Sequence, residues 1–447
     1  MTTTNPFRWL APLPNRLPGG RSTAAGLGCL LLALLLPLRS QAQINAGTTF
    51  NPVGSGARAM GQGNAFIAVA DDATAASWNP AGLTQLERPE CSLAGEYWQS
   101  HGQVLTPTEY RSEHDSSFAD LNYASLVYPF RLADHNLTAS LNYLKMFDLS
   151  QTLHTPEQDG FLAPPKWTAD YRLRQEGAFA VVTPALAMDL TDHLAAGLAF
   201  NIWNDDITQN SSYRKRWILI DSQTGNMLDE SYAIQRGYSF VLGTLYRPVK
   251  EWAFAGVVKP PFTLQGQRRR QYSYYEDNDP TWTFSPPYTN STTINMPLVL
   301  GGGVAWRPSD PLTVALDLTW TEWSQFTMRQ VGRRYNPISN DYLSRGRCQD
   351  AYAVRLGTEY VVPCGSCQIP LRCGVGYDPE PGIEEIVNYY TANVGTGIQW
   401  ARYALDAAYE ARWGNDVHTA ALYWKIPPGT EDILQHRILL SMIVYFD

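Results

Sequence analysis

The chain reads as an all-β protein, a 14-stranded antiparallel transmembrane β-barrel with a small N-terminal hatch (plug) inside the lumen. Three observations point there. Segments of about ten residues alternate strictly between apolar and polar positions. The connections between them alternate short and long without exception. Charged residues make up only 17% of the 447 residues, and aromatics reach 12%, with 14 Trp and 25 Tyr; soluble domains carry roughly 25% charge. A slightly negative mean hydropathy excludes a bundle of transmembrane helices. A net charge of −8 excludes a phosphate-backbone binder, so no nucleic-acid partner is expected.

Residues 1–42 form the first element. Arg8, Arg16 and Arg21 precede an apolar run from Ala24 to Leu38, and Ser40-Gln41-Ala42 offers small residues at the −3 and −1 positions of a cut after Ala42. This layout predicts a secretory signal peptide; an N-terminal anchor helix is the alternative. Cys29 has no lipobox before it. Beyond residue 42 no apolar run reaches ~18 residues, so any membrane crossing must be made by strands.

Residues 43–90 are rich in Ala and Gly and too few to fold alone. They are expected to pack as a hatch inside something larger, such as a barrel lumen. Ala73–Ser77 favours a short helix opened by Asp71 and Asp72, and Asn79-Pro80-Ala81-Gly82 ends it. Gly61-Gln62-Gly63 lacks the Gly-Lys-Ser/Thr of a phosphate loop.

Residues 91–447 carry the strands, expected near 91–98, 120–130, 136–147, 171–188, 193–204, 231–247, 251–262, 296–307, 312–321, 350–362, 367–378, 391–400, 402–413 and 434–446. In one of them Leu312, Val314, Leu316, Leu318 and Trp320 share a face opposite Thr313, Ala315, Asp317, Thr319 and Thr321. That is the pattern of lipid outside and polar lumen inside, over strands longer than the roughly 5–6 residues of a soluble sandwich. An even count with short periplasmic turns puts both termini in the periplasm.

Asp317, Arg355, Glu359, Arg372, Asp406 and Arg437 fall on lumen faces and are expected to form interior ion pairs. A catalytic carboxylate would have to stand apart from such partners. With seven scattered His and no G-x-S-x-G elbow, no enzyme is expected. Arg268-Arg269-Arg270 is placed in a long outer loop, either solvated or facing lipopolysaccharide or a carboxylate headgroup. Cys364 and Cys367 flank a periplasmic turn, with Cys348 at the opposite rim and Cys373 facing lipid. Four converging ligands are thus unavailable, so neither metal nor cofactor is expected. A local Cys364–Cys367 disulfide suits an oxidising compartment; free thiols are the alternative.

The run Gly56-Ala57-Arg58-Ala59-Met60-Gly61, Ala70-Asp71-Asp72-Ala73 and Trp78-Asn79-Pro80-Ala81-Gly82 resembles the hatch of the FadL-type outer-membrane transporters of long-chain fatty acids and other hydrophobic compounds. Residues Leu298–Phe326, Arg355–Tyr360 and Leu371–Asp378 resemble that family's late strands. The resemblance implies passive uptake of long-chain fatty acids, alkanes or aromatic hydrocarbons. The ligand would be captured among outer loops, held in an apolar pocket, and released sideways through the barrel wall when the hatch moves. It implies a gate at Asp71, Asp72, Asn79, Pro80, Ala81 and Gly82. Ligand contacts are expected at Phe66, Trp78, Phe161, Leu162 and Trp167, with ordinary packing the alternative at each. The setting would be a monomer among outer-membrane lipid and lipopolysaccharide. PorV-like barrels share the hatch signature, so a structural or shuttle barrel serving a protein partner is the second reading.

Overall fold

The computed structural model describes residues 54–105, 111–133, 135–155, 169–208, 212–221, 224–276, 279–338, 342–344, 346–382, 385–418 and 429–446. Residues 1–42, where a signal peptide is expected, and Phe161, Leu162 and Trp167 lie outside them. Fourteen strands close a ring. They are β1 Glu90–Leu105, β2 Arg111–Leu132, β3 His135–Asp148, β4 Ala169–Asp189, β5 Leu194–Trp203, β6 Thr224–Val249 and β7 Trp252–Lys259, then β8 Val299–Ser309, β9 Leu312–Thr321, β10 Ala351–Cys364, β11 Cys367–Tyr377, β12 Tyr390–Trp400, β13 Tyr403–His418 and β14 Thr430–Tyr445. Each pairs antiparallel with the next, and β14 pairs with β1 from Glu90↔Tyr445 to Leu105↔Thr430. Closure leaves no unpaired edge, which a sheet in hydrocarbon requires.

Every strand expected from the alternation is present, and the faces are the expected ones. On β9, Leu316 and Leu318 are 48% and 53% exposed, while Asp317 between them is 1% exposed. Aromatic pairs gird the band at both rims, as in membrane barrels. Trp252 stacks on Trp306 at 5.9 Å near the short turns, and Tyr377 meets Tyr390 at 5.6 Å near the long connections.

The long connections differ from expectation. Several are folded as a continuation of the sheet, in strands Ser212–Asp221, Phe262–Glu276 and Tyr288–Met296 among others. β1 and β2 run on through 99–105 and 111–119. Above the membrane band neither face need be apolar, so these strands carry no hydrophobic period for a sequence reading to find. Arg268-Arg269-Arg270 is one casualty: the run lies in a strand, with Arg268 and Arg270 buried inside and Arg269 outside. Both inner guanidiniums close on Glu230, Arg270 at 2.8 Å.

Gly54–Pro89 sit within the ring. Gly56 enters at φ +109°, the short helix α1 spans Ala57–Gly61 and α2 spans Ala75–Trp78, and a 3₁₀ turn follows over Pro80–Gln85. The helices are only five and four residues long, so tertiary packing holds them in place.

Candidate functional site

The hatch is seated by close backbone approach. Lumen-facing glycines of the wall lie against it: Gly197 and Gly243 under Asn79-Pro80, Gly357 under Gln62, and Gly374 and Gly395 under Gly61 and Gly63. A Cβ at Gly197, Gly243, Gly357 or Gly374 would overlap hatch atoms. The small-residue composition of 54–89 and these wall glycines are therefore two halves of one packing solution.

Polar contacts then lock it. Asn79 Nδ2 donates to the carbonyls of Ile67 and of Thr244 on β6, both at 3.1 Å, and its Oδ1 accepts the Ala81 N–H. Pro80, Ala81 and Gly82 follow, fully enclosed. Asp71 bridges Arg58 at 2.6 Å and Arg307 of β8 at 3.1 Å. Asp72 accepts from the Thr74 N–H at 2.8 Å and hydroxyl at 2.6 Å, forming the turn that leads into α2. Burial pushes the Asp72 carboxyl above the usual carboxylate range, with Arg58 and Thr74 opposing it. Burial acts to lower the Arg58 pKa, but Asp71 and Glu359 outweigh it and hold the guanidinium charged.

Arg58 grips Glu359 of β10 with two bonds, 3.0 and 2.9 Å. Glu359 also accepts from Arg372 of β11 at 2.6 Å, and Arg372 reaches Asp406 of β13 at 2.6 Å. Arg437 pairs with Glu96 at 3.0 Å and Glu410 at 3.4 Å. Arg355 turns instead to Asp378 at the loop end. Asp317 departs from the expected ion pairing: it accepts the backbone N–H groups of Phe66 and Ile67 at 2.7 and 2.8 Å. Its register partner is Arg355, but the hatch backbone occupies the carboxylate first. The Cys364–Cys367 expectation also needs correction. Both are free thiols, and Cys367 Sγ donates to the Cys364 carbonyl at 3.0 Å across the Gly365-Ser366 turn.

Phe66 is fully buried within the hatch, edge-on to Trp78 at 5.8 Å, with the Arg58 guanidinium 5.5 Å from its ring. Trp78 donates to the Ser55 carbonyl at 2.8 Å and borders a cavity of about 40 Å³ with Ile67, Val299 and Asp317. A second cavity of about 10 Å³ touches Ala76, Ser77 and Met146. A third, of about 30 Å³, is walled by Phe147, Trp203, Phe262, Met296 and Trp323. Lys259 borders all three. Rings dominate the third: Phe147 and Trp203 lie 6.3 Å apart and Trp203 stacks on Phe262 at 5.3 Å. A water needs about 10–15 Å³, so a larger guest must displace these rings. The aromatic cluster escaped the sequence reading because it is assembled from β3, β5 and the strand ends around β7–β9.

A closed antiparallel ring with a lipid-facing apolar band, a polar lumen and a seated hatch defines a plugged outer-membrane barrel. The profile of the family described as outer membrane protein transport protein (OMPP1/FadL/TodX) matches residues 165–419, more than half the chain, and the chain belongs to that family. It is a bacterial outer-membrane transport protein and not an enzyme. Solved structures share its fold at low identity. A Pseudomonas aeruginosa FadL homologue is 13% identical with a TM-score of 0.61, over 88% of this chain and 99% of that one. The Pseudomonas putida toluene transporter TodX is 13% identical with a TM-score of 0.59, over 89% and 99%. The Ralstonia pickettii toluene transporter TbuX is 15% identical with a TM-score of 0.54, over 89% and 100%. No curated protein sequence matches the chain.

Proposed function

We propose that the barrel admits hydrophobic small molecules (fatty acids, alkanes or monoaromatic hydrocarbons) by passive diffusion. They would leave the lumen sideways into the bilayer, with both termini of the mature chain in the periplasm. The supporting observation is a set of three small cavities that share Lys259 in their walls, from the hatch at Ser77 and Trp78 to the ring cluster at Trp203 and Phe262. An apolar guest gains about 0.8 kcal/mol per buried CH₂, so such a path needs no energy source. Asp71, Asp72, Asn79, Pro80, Ala81 and Gly82 hold the hatch shut in this reading, and Trp78 meets the ligand. Toluene is the natural first probe, since two structural relatives are described as toluene transporters.

The test replaces Asn79-Pro80-Ala81 with a Gly-Ser stretch and measures uptake of labelled toluene and of a long-chain fatty acid in cells. The barrel should stay folded and heat-modifiable while uptake is lost, or becomes leaky to antibiotics. Uptake and permeability at the parental level in a folded variant would remove the gate and leave the shuttle-barrel reading.

A further inference from the structure

Beyond the apolar band the outer wall carries its charge unevenly. The chains of β7, β8 and β9 run on past the band, across Pro260-Pro261, Pro297-Leu298 and the 3₁₀ turn Trp323–Gln325, as the strands Phe262–Glu276, Tyr288–Met296 and Thr327–Gln330. Residues directly opposite in an antiparallel ladder share a face, so the register shows which outward side chains stand side by side. Arg236 of β6 is level with Gln265, Gln265 with Thr293, Thr293 with Arg329, and Arg329 with Arg334 of the short strand Arg333–Tyr335. The row faces outward, because the flanking residues Leu264, Thr292, Ile294 and Met328 are buried inside. Just below Arg236, exposed Tyr238, Phe240 and Leu242 carry the apolar surface toward the short turns. A second row lies about 16 Å further along β6, where exposed Arg214 and Arg269 flank Ser231. Between the two rows stand Ala233, Gln267 and Ser291.

This face is basic and unbalanced. Arg236 donates to the Gln265 amide oxygen at 3.1 Å, and among the described residues Arg214, Arg236, Arg269, Arg329 and Arg334 have no carboxylate partner. The neighbouring Arg216 is already matched by Asp229 at 2.5 Å. Arg329 and Arg334 stand directly opposite each other, which like charges disfavour. The chain as a whole is acidic, and on the other side of the ring the exposed positions beyond the band include Asp115 of β2, Asp416 of β13 and Asp432 of β14. A repulsive cluster at one place on an acidic protein calls for an anion from outside.

Position identifies that anion. The outward face just above the hydrocarbon is where lipid headgroups lie. Guanidinium forks match phosphate oxygens with paired hydrogen bonds, and the Gln, Thr and Ser side chains between the arginines suit sugar hydroxyls. Arg236 and Arg329 are three strand spacings apart, about 14 Å, a span that fits phosphates at the two ends of a disaccharide. We propose that this face docks the phosphorylated sugar headgroup of an outer-leaflet glycolipid, lipopolysaccharide. Of the run Arg268-Arg269-Arg270 only Arg269 takes part, since Arg268 and Arg270 turn inward to Glu230. The site needs the long connections outside the cell, so it rests on the orientation proposed above, but it needs no cargo in the lumen.

The test measures binding of lipopolysaccharide to the purified mature barrel in detergent by native mass spectrometry. One variant combines Arg236→Gln, Arg269→Gln and Arg329→Gln. A control removes the same charge at the short turns with Arg131→Gln, Lys250→Gln and Arg402→Gln, all exposed; heat-modifiability checks both folds. Affinity should fall at least tenfold in the first and stay within twofold of the parent in the control. The unsubstituted barrel should bind dephosphorylated lipopolysaccharide at least tenfold more weakly, a comparison that needs no variant to fold. Equal losses in the two variants would mean attraction by net charge alone, and undiminished binding of the dephosphorylated lipid would mean no phosphate site; either overturns the proposal. Self-association lost with the three arginines at unchanged lipopolysaccharide affinity would give the face to a second copy instead. Orientation is read in intact cells with all six cysteines replaced, using a membrane-impermeant maleimide against Val331→Cys, 79% exposed beyond Thr327–Gln330, and Lys250→Cys at a short turn. Labelling of Lys250→Cys alone defeats the orientation. Labelling of Val331→Cys with parental lipopolysaccharide affinity in the arginine variant defeats the docking site alone.

Discussion

β10–β13 and β6–β9 build the same wall in two ways. The first group keeps its alternation through the apolar band, broken only at a bulge between Gly414 and Val417 toward the loop end of β13, and carries Glu359, Arg372 and Asp406 in one connected network with Arg58, and Gly357, Gly374 and Gly395 against Gln62 and its neighbours. The second group loses its alternation at one belt and carries rings and small cavities there. One stretch of wall is a foundation and the other has a seam. A hatch needs a rigid seat, and unbroken ladders with buried charge pairs provide it.

The largest effect should come from the seat. Gly357→Leu would drive a side chain into the Gln62 carbonyl, where backbone sits on both sides. The expected cost is about 3 kcal/mol or more, at the upper end for overpacking, visible as loss of the heat-modifiable band or release of the hatch to protease. Gly302→Leu on β8 has open space outside the barrel and should change stability by no more than about 0.5 kcal/mol. Similar behaviour of the two would break the comparison.

Next comes charge. Arg372→Met strips Asp406 of its guanidinium and leaves Glu359 with Arg58 alone. Breaking one partner out of a buried pair costs about 3–5 kcal/mol. Arg268→Met, above the seam, leaves Glu230 still paired with Arg270 and should cost less than half as much in the same urea refolding titration. β9 borders both regions and tests the faces themselves. Leu316→Arg should cost about 2–4 kcal/mol near the midplane. Asp317→Ala should cost about 1–3 kcal/mol for each hatch N–H left unpaired, and should loosen the hatch, which Leu316→Arg should not. Equal tolerance of Arg at 316 and 317 would show the faces to be wrong. The smallest effect belongs to the turn. Cys367→Ser should shift stability by no more than about 0.5 kcal/mol, and a thiol assay of the unsubstituted protein should find Cys364 and Cys367 both reactive. Fewer thiols there would restore the disulfide.

Strand legibility followed the membrane. Where lipid lies on one side and a packed lumen on the other, as along Leu312–Trp320, alternation is enforced residue by residue and can be read directly. Past the seam the same chains continue as strands, but water on the outside removes the constraint, and 99–119 and 263–295 looked like loops. In the hatch, Asp71, Asp72 and Asn79-Pro80 were legible as polar turn formers. Their partners Arg307, Thr244 and the wall glycines were not, because nothing local marks a glycine as a seat.

By itself, then, the sequence determined the strand count, the inward and outward faces and the identity of the hatch, since each follows from a period or motif within one short segment. The tertiary structure alone decided which inward charges meet, because that depends on strand register. Asp317 is level with Arg355 and still gives its carboxylate to Phe66 and Ile67, while Arg355 turns to Asp378. It also decided that Pro260, Pro261, Pro297 and the Trp323 turn fall side by side. They come from three different stretches of chain, and only the closure of the ring brings them to one height.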